Sequence, residues 1–157
     1  MENKIEFGGV GDTYFLVGEL TALSNRFQAV ADRFFEDISW KQCFVLICIK
    51  MFQEPPTINE LSAALGSSHQ NVKQLLLKLQ KTGYIEFIQD VKDKRKQRII
   101  RTPKAEEFDL SHAELSDVYM KRFFEGIDPG KLKTTIETLI QMEQNLKIME
   151  KDTEEIK

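Results

Sequence analysis

The sequence predicts a mainly α-helical protein with one small β-hairpin, and two observations support this prediction. First, residues 57–102 have the pattern of a short helix, a tight turn, a second helix and two short strands joined by a charged loop. That order of elements is typical of a winged helix-turn-helix. Second, residues 66–104 hold ten Lys or Arg against three acids, a balance of +7 in a chain of net charge −3. Such a basic block is typical of a polyanion-binding face.

The composition limits where the protein acts. No segment approaches the roughly 20 apolar residues that span a bilayer, and residues 1–12 lack the basic start and apolar core of a signal peptide. We therefore expect a cytoplasmic protein without a membrane partner, and 157 residues fit a single domain, 1–157.

The two cysteines predict neither a disulfide nor a metal site. Cys43 and Cys48 lie five residues apart on a predicted helix and face different sides of it. No Cys and His spacing suggests a metal site, and no cofactor is expected. Because a buried cysteine is usually inert packing, we favour that role over oxidant sensing.

The N-terminal helix is predicted over residues 12–36, with Asp12 as its N-cap. Apolar residues recur three and four positions apart along it: Leu16, Leu20, Leu23, Phe27, Val30 and Phe34. Tyr14, Phe15 and Val17 widen this stripe beyond the needs of one core contact. The width predicts burial on two sides, one of them against a second subunit.

The next helix is predicted from Trp40 to Phe52, with Ser39 as its cap. Residues 44–49 are apolar on all sides of the helix, which predicts a central, buried element. Pro55 and Pro56 follow its end, because proline cannot continue the backbone ladder.

The helix-turn-helix has clear boundary signals. Thr57 and Glu60 form a capping-box sequence, and Gly66 closes the short helix. Either Ser67 or Ser68 then caps the next helix, which has a core side formed by the following residues: Val72, Leu75, Leu76 and Leu79. Gly83 fits a left-handed stop after it.

The outer side of this second helix carries the residue types that recognise bases. Short amides bond adenine in two places, and Lys or Arg bonds guanine. The candidate DNA-binding residues of the helix are Ser68, His69, Gln70, Asn71, Lys73, Gln74 and Lys78. The alternative is a polar face that contacts only solvent, and the basic hairpin that follows favours DNA.

The hairpin is predicted from strands at residues 84–89 and 97–101, joined by a basic loop. Three of the basic loop residues complete the candidate DNA-binding set: Lys94, Arg95 and Lys96. Such a loop can reach the minor groove beside a recognition helix, where arginine meets enhanced negative potential. Asp93 among these cations is explained if it fixes the loop by bonding Arg95 or a backbone amide; the alternative is a solvated loop.

The C-terminal region, residues 103–157, is predicted to form two helices, which begin at Thr102-Pro103 and Asp128-Pro129. The second helix carries a heptad-like seam of two interleaved series: Leu132, Leu139, Leu146 and Thr153, with Thr135, Met142, Met149 and Ile156. We favour inter-subunit packing over packing within the chain. The predicted dimer interface comprises Leu16, Leu20, Leu23, Leu139, Leu146 and Met149. Helices 12–36 and 103–157 would then flank a DNA-binding lobe at 39–102.

The run LSAALGSSHQNVKQLLLKLQKTGYIEF followed by DKRKQRIIRT resembles the MarR family of bacterial winged helix transcription regulators. Asp93, Arg95 and Thr102 match the family's wing motif. The resemblance implies that Asp93 braces the wing, that Arg95 enters the minor groove and that the end helices form a homodimer. Arg101 stands where leucine is usual, and Ala105 where glycine is common.

The sequence therefore predicts a sequence-specific double-stranded DNA-binding regulator, acting as a homodimer on a pseudo-palindromic operator. We expect a repressor released by a small-molecule effector, which no sequence pattern identifies. The alternative is a winged helix adaptor for protein partners, which would favour an uncharged or apolar recognition face. An enzyme is the weakest hypothesis, because no nucleophile and base constellation, phosphate loop or metal triad is present in the sequence.

Overall fold

The computed structural model describes residues 9–155, with side chains described as far as Asp152. These residues form six helices and two strands, as predicted: α1 Asp12–Ala31, α2 Trp40–Met51, α3 Ile58–Leu65, α4 His69–Lys81, β1 Ile85–Gln89, β2 Gln97–Arg101, α5 Pro103–Phe123 and α6 Pro129–Glu155. The chain divides into two compact units, the first ending at Leu110 and the second beginning at Ser111. Each unit is described by itself.

The core of the first unit lies around α2, which contacts α1, α3, α4 and β2. Its buried side consists of Cys43, Val45, Leu46, Cys48 and Ile49. The helix is central, as predicted, but it is not buried on every side, because Phe44 and Ile47 are 41% and 40% exposed. They lie three residues apart, on a side of the helix that its neighbours in this unit leave open.

The predicted cap residues of α2, α3 and α4 occupy the starts of these helices. Ser39 and Gln42 form a capping box at α2, and Thr57 and Glu60 form another at α3. Gly66 ends α3 with a φ of 58°, the left-handed conformation that glycine adopts without a Cβ penalty. Of the two candidate caps for α4, the structure selects Ser68, which accepts a hydrogen bond from the Asn71 amide at 3.3 Å.

The first helix is shorter than predicted. Gly11 rather than Asp12 occupies the N-cap position, and α1 ends at Ala31 instead of residue 36. The carboxylate of Asp32 accepts a hydrogen bond from the Trp40 amide at 2.5 Å, which joins the end of α1 to the start of α2. The chain therefore turns after Ala31.

The hairpin is antiparallel, with Ile85 opposite Arg101 and Gln89 opposite Gln97. The first strand begins one residue later than predicted, because the Tyr84 amide donates to the Leu79 carbonyl at the end of α4 (2.9 Å). On the other side of the hairpin, the Ile99 amide donates to the Pro56 carbonyl at 2.9 Å. The hairpin is thus attached to the ends of both helices of the helix-turn-helix motif, α4 directly and α3 through the segment before it.

The second unit contains the end of α5 and the whole of α6. Gly126 has a φ of 76° in the link between them. Asp128 starts α6 as predicted, since its carboxylate accepts from the Lys131 amide at 3.0 Å. Along the heptad-like seam Leu132 and Met142 are half-buried, whereas Leu139, Leu146 and Met149 are 38%, 57% and 60% exposed. The Thr153 side chain and Ile156 lie outside the described residues.

Within residues 9–155, no helix is both long and apolar enough to cross a membrane.

Candidate nucleic-acid interface

The outer side of α4 is the centre of the candidate interface. Val72, Leu76 and Leu79 are fully buried and anchor the helix to the core. All the predicted recognition residues of this region are exposed: Ser68, His69, Gln70, Asn71, Lys73, Gln74 and Lys78. The helix carries no acidic residue. Its exposed side therefore offers amides and ammonium groups, together with the positive end of the helix dipole.

The wing loop presents its cations to solvent and holds them in a bonded turn. Lys94, Arg95 and Lys96 are exposed. Asp93 accepts from the Arg95 amide at 3.1 Å through its side chain, and from the Lys96 amide at 2.8 Å through its carbonyl. The sequence predicted that Asp93 bonds either Arg95 or a backbone amide, and the structure shows its carboxylate bonded to a backbone amide.

A second acid, Asp90, makes more contacts in the wing than Asp93 and was not among the predicted site residues. It is only 6% exposed. Its carboxylate accepts from the amides of Lys92 and Asp93, both at 2.7 Å, and pairs with the Arg98 guanidinium. Together these bonds lower the pKa of Asp90 to about 2, and the bond from Arg98 has the largest effect. Aspartate at the first loop position after a strand is a common turn residue, a signal that could have identified it.

Arg98 joins the wing to the start of α3. Besides Asp90, its guanidinium donates to the Pro55 carbonyl at 2.7 Å and lies 4.0 Å from the Glu60 carboxylate. Glu60 belongs to the capping box of α3, and its bonds to Thr57 lower its pKa. Asp90 and Arg98, which we call the wing latch, therefore fix the loop end of the hairpin to the segment that starts α3.

The local charge of +7 overstates the positive charge available on the surface. Arg98 is used in the wing latch, and the side chain of Arg101 is only 9% exposed. Arg101 donates to the Asp109 carboxylate at 2.6 Å and to the Ala105 carbonyl at 3.0 Å. Asp109 also pairs with Lys50 of α2 at 3.2 Å. Arg101 is thus held in a polar network around Asp109.

A groove of about 460 Å³ lies on the same unit, between α1, α2 and the turn before α4. Three aromatic rings line it, those of Phe27, Trp40 and Phe44. Trp40 contacts Phe27 edge to face at 4.9 Å between ring centroids and stacks on Phe44 at 6.0 Å. Lys41 is also among the lining residues. The groove therefore combines three aromatic rings with one residue that carries a positive charge.

The cysteines have the environment of packing residues. Cys43 and Cys48 are both free and buried. Burial, followed by the nearby Asp109 carboxylate, raises the pKa of the Cys43 thiol to about 11, although Arg101 opposes that rise. Because the thiolate is the reactive form, this environment opposes oxidation chemistry at neutral pH. Among the residues whose side chains are described, no group of three His, Cys, Asp or Glu could hold a metal ion.

Comparison with known proteins identifies the fold. Residues 36–96 match the model of the MarR family. A MarR/EmrR family transcriptional regulator from Acinetobacter sp. ADP1 is similar in structure, with a TM-score of 0.77, 15% identity, and coverage of 88% of this chain and 99% of that one. No curated protein matches the chain.

Two further similar structures are complexes with DNA. The MepR–DNA complex of S. aureus has a TM-score of 0.72 at 20% identity, over 86% of this chain and 98% of that one. FabT of Streptococcus pneumoniae in complex with DNA has a TM-score of 0.64 at 20% identity, over 88% and 99%. Residues 36–96 therefore resemble the MarR family in sequence, and the chain as a whole has the fold of solved MarR family transcription regulators.

Proposed function

We propose that this protein is a sequence-specific double-stranded DNA-binding transcription regulator. The observation that carries the proposal is the acid-free, exposed side of α4, together with a hairpin loop that presents three consecutive cations, Lys94, Arg95 and Lys96. An α-helix fits the major groove, and a basic loop beside it can reach the minor groove. The MepR and FabT complexes support the proposal, because proteins of the same fold bind DNA there.

The exposed side chains suggest a division of roles. Gln70, Asn71 and Gln74 would bond base edges, adenine above all. Lys78 would contact phosphates, and Arg95 would enter the minor groove with Asp93 shaping its loop. Contacts to bases then set the sequence preference, whereas contacts to phosphates set affinity for any duplex.

We further propose a homodimeric repressor that binds a pseudo-palindromic operator in the cytoplasm and is released by a small molecule. Apolar side chains are exposed on the first and the last of the predicted dimerisation helices: Tyr14, Leu16, Val17 and Leu23 on α1, and Ile136, Leu139, Ile140, Leu146 and Met149 on α6. Exposed apolar surface of this extent is typical of an association interface. Two subunits would place two recognition helices on successive half-sites.

Base recognition is tested by single alanine substitutions at Gln70 and Asn71. Each is expected to relax the preference at particular base pairs, by ~1–3 kcal/mol for each lost bidentate contact. Lys78→Ala is the comparison variant: it should weaken binding to all duplexes alike and reduce the salt slope by about one. Fluorescence anisotropy on a duplex selected from random sequences, and on its single-base variants, measures both effects.

Two results would contradict this assignment. If Gln70→Ala and Asn71→Ala ranked all operator variants as the parent does, α4 would not be the recognition helix. If the folded parent enriched no sequence and bound no duplex, the adaptor hypothesis would replace the regulator. The adaptor hypothesis favours an uncharged or apolar recognition face. On the described part of α4, however, only one large apolar side chain is exposed, that of Leu77 (49%).

The aromatic groove is our candidate for the effector site. An aromatic carboxylate would stack on Trp40 and Phe44 while its charge faces Lys41. Because Trp40 is the chain's single tryptophan, benzoate binding should quench its fluorescence and reduce operator affinity. Lys41→Ala should weaken benzoate roughly tenfold, the scale of one charge-assisted bond, whereas Lys50→Ala on the same helix should leave it unchanged. Unaltered fluorescence and operator affinity at millimolar benzoate would reject this ligand class.

A further inference from the structure

Leu77 lies in the middle of the exposed side of α4. The side chains of Gln70, Gln74, Leu77 and Lys81 follow one another at spacings of four, three and four residues, so they share one side of a helix with 3.6 residues per turn. The buried residues Val72, Leu76 and Leu79 occupy the opposite side. Leu77 is 49% exposed, and its neighbours along this line carry amides or an ammonium group.

The position of Leu77 distinguishes it from a leucine scattered on the surface. Isolated exposed apolar residues are ordinary in folded proteins and require no partner. Leu77, however, interrupts a line of polar side chains on the helix that the proposed function places in the major groove. The fold does not require a leucine at this exposed position, because three fully buried residues already anchor α4 to the core.

The chemistry of the major groove indicates what a leucine would contact there. Thymine alone among the four bases presents an apolar group in that groove, its C5-methyl. Leu77 lies three residues beyond Gln74, about 4.5 Å along the helix axis at ~1.5 Å per residue. That spacing is close to one base-pair step of ~3.4 Å. A side chain at position 77 is therefore placed to meet the base pair next to the one that Gln74 contacts.

We propose that Leu77 is a specificity-determining residue that recognises thymine through its C5-methyl group, an inference that rests on the proposed DNA-binding function. Gln74 would bond one base pair of the half-site, and Leu77 would exclude water from the methyl group of an adjacent thymine. The preference for thymine arises because cytosine and the purines offer no methyl group at this edge.

The test uses deoxyuridine, which differs from thymidine by the loss of that methyl group alone. In the duplex selected for binding, each thymine in turn is replaced by uracil, and affinities are measured for the parent and for Leu77→Ala. At one thymine of each half-site the parent should bind about fourfold more weakly, the equivalent of one methyl group removed from contact. Leu77→Ala should be insensitive to that replacement. Leu110→Ala, another exposed leucine (79%), is the matched control and should keep the parent's sensitivity.

The outcomes separate this inference from the function on which it rests. Failure of the parent to bind any duplex would reject the DNA-binding function itself. Binding with no uracil sensitivity at any position, or with equal sensitivity in the parent and Leu77→Ala, would reject the role of Leu77 alone. Circular dichroism and thermal unfolding of Leu77→Ala verify that α4 remains folded, so that a lost sensitivity reports the contact.

Discussion

Replacing Leu139 and Leu146 together with glutamate is expected to convert a dimer into a monomer of 18.2 kDa and to weaken operator binding roughly 10²- to 10⁴-fold. Both leucines are exposed on α6, at 38% and 57%, and lie seven residues apart on one side of the helix. A carboxylate at each position would have to be desolvated on association without a partner, which is unfavourable. A monomer then binds one half-site without the gain in effective concentration that the second recognition helix supplies.

The matched control adds the same two charges to the same helix. Gln141 and Gln144 lie two and five residues from Leu139, on the other side of α6, and both are exposed. Gln141→Glu with Gln144→Glu should leave a dimer that binds DNA. Light scattering gives the mass of each variant, and anisotropy gives its affinity. A parent that scatters as an 18.2 kDa species at all micromolar concentrations would overturn the dimer.

The elements that the sequence predicted correctly are those whose signals are local. A capping box involves four consecutive residues, so Thr57 and Glu60 determine the start of α3 with little help from the rest of the chain. The same holds for Gly66 at the end of α3 and for Asp128 at the start of α6. The alternating buried and exposed residues of α4 also follow from helical spacing alone.

The features that sequence reasoning missed depend on contacts between distant residues. Arg98 belongs to a run of cations, and no local pattern shows that its guanidinium bonds the Pro55 carbonyl, 43 residues earlier in the chain. Asp90 occupies a position where aspartate is a common turn residue, but its burial follows from the pairing with Arg98 on the opposite strand. The apolar run of α2 predicts a buried helix, but only the placement of its neighbours shows that Phe44 and Ile47 remain open.

The wing latch leads to the second large effect, and its sign separates structure from simple electrostatics. Asp90→Ala removes a negative charge from a region that would face phosphates, so Coulomb attraction alone predicts tighter binding. We expect roughly tenfold weaker binding, the scale of one good contact to a base. The Lys92 and Asp93 amides and the Arg98 guanidinium lose their acceptor, and the loop that carries Arg95 loses its shape. Glu86→Ala, on the exposed face of β1, removes the same charge but breaks none of these bonds. This variant should therefore bind slightly more tightly than the parent.

The latch should also give the folded state a dependence on acid pH. Because the pKa of Asp90 falls from 3.8 to about 2 in the folded protein, its carboxylate contributes stability that is complete above about pH 4. That contribution is lost as the pH falls toward 2, where the folded state must also take up the proton. Over this pH range, the unfolding temperature of the parent should fall more steeply than that of Asp90→Asn. Parallel curves would show that the carboxylate is no more stabilising than the amide.

Alanine variants of the three acids of the wing are expected to differ in DNA affinity according to the bonds that each acid makes. Glu86→Ala should match or exceed the parent in affinity, Asp93→Ala should bind more weakly because the amide of Arg95 loses its acceptor, and Asp90→Ala should bind most weakly. Arg95→Ala should lose most on duplexes with A·T-rich flanks, where the minor groove is narrow and its negative potential strongest. Anisotropy at two salt concentrations on one duplex ranks the three acid variants, and the same measurement on duplexes with and without A·T-rich flanks tests Arg95→Ala. If all three acid-to-alanine variants bound more tightly, by amounts that shrink with salt, the wing would act as a diffuse positive charge and neither aspartate would be a brace.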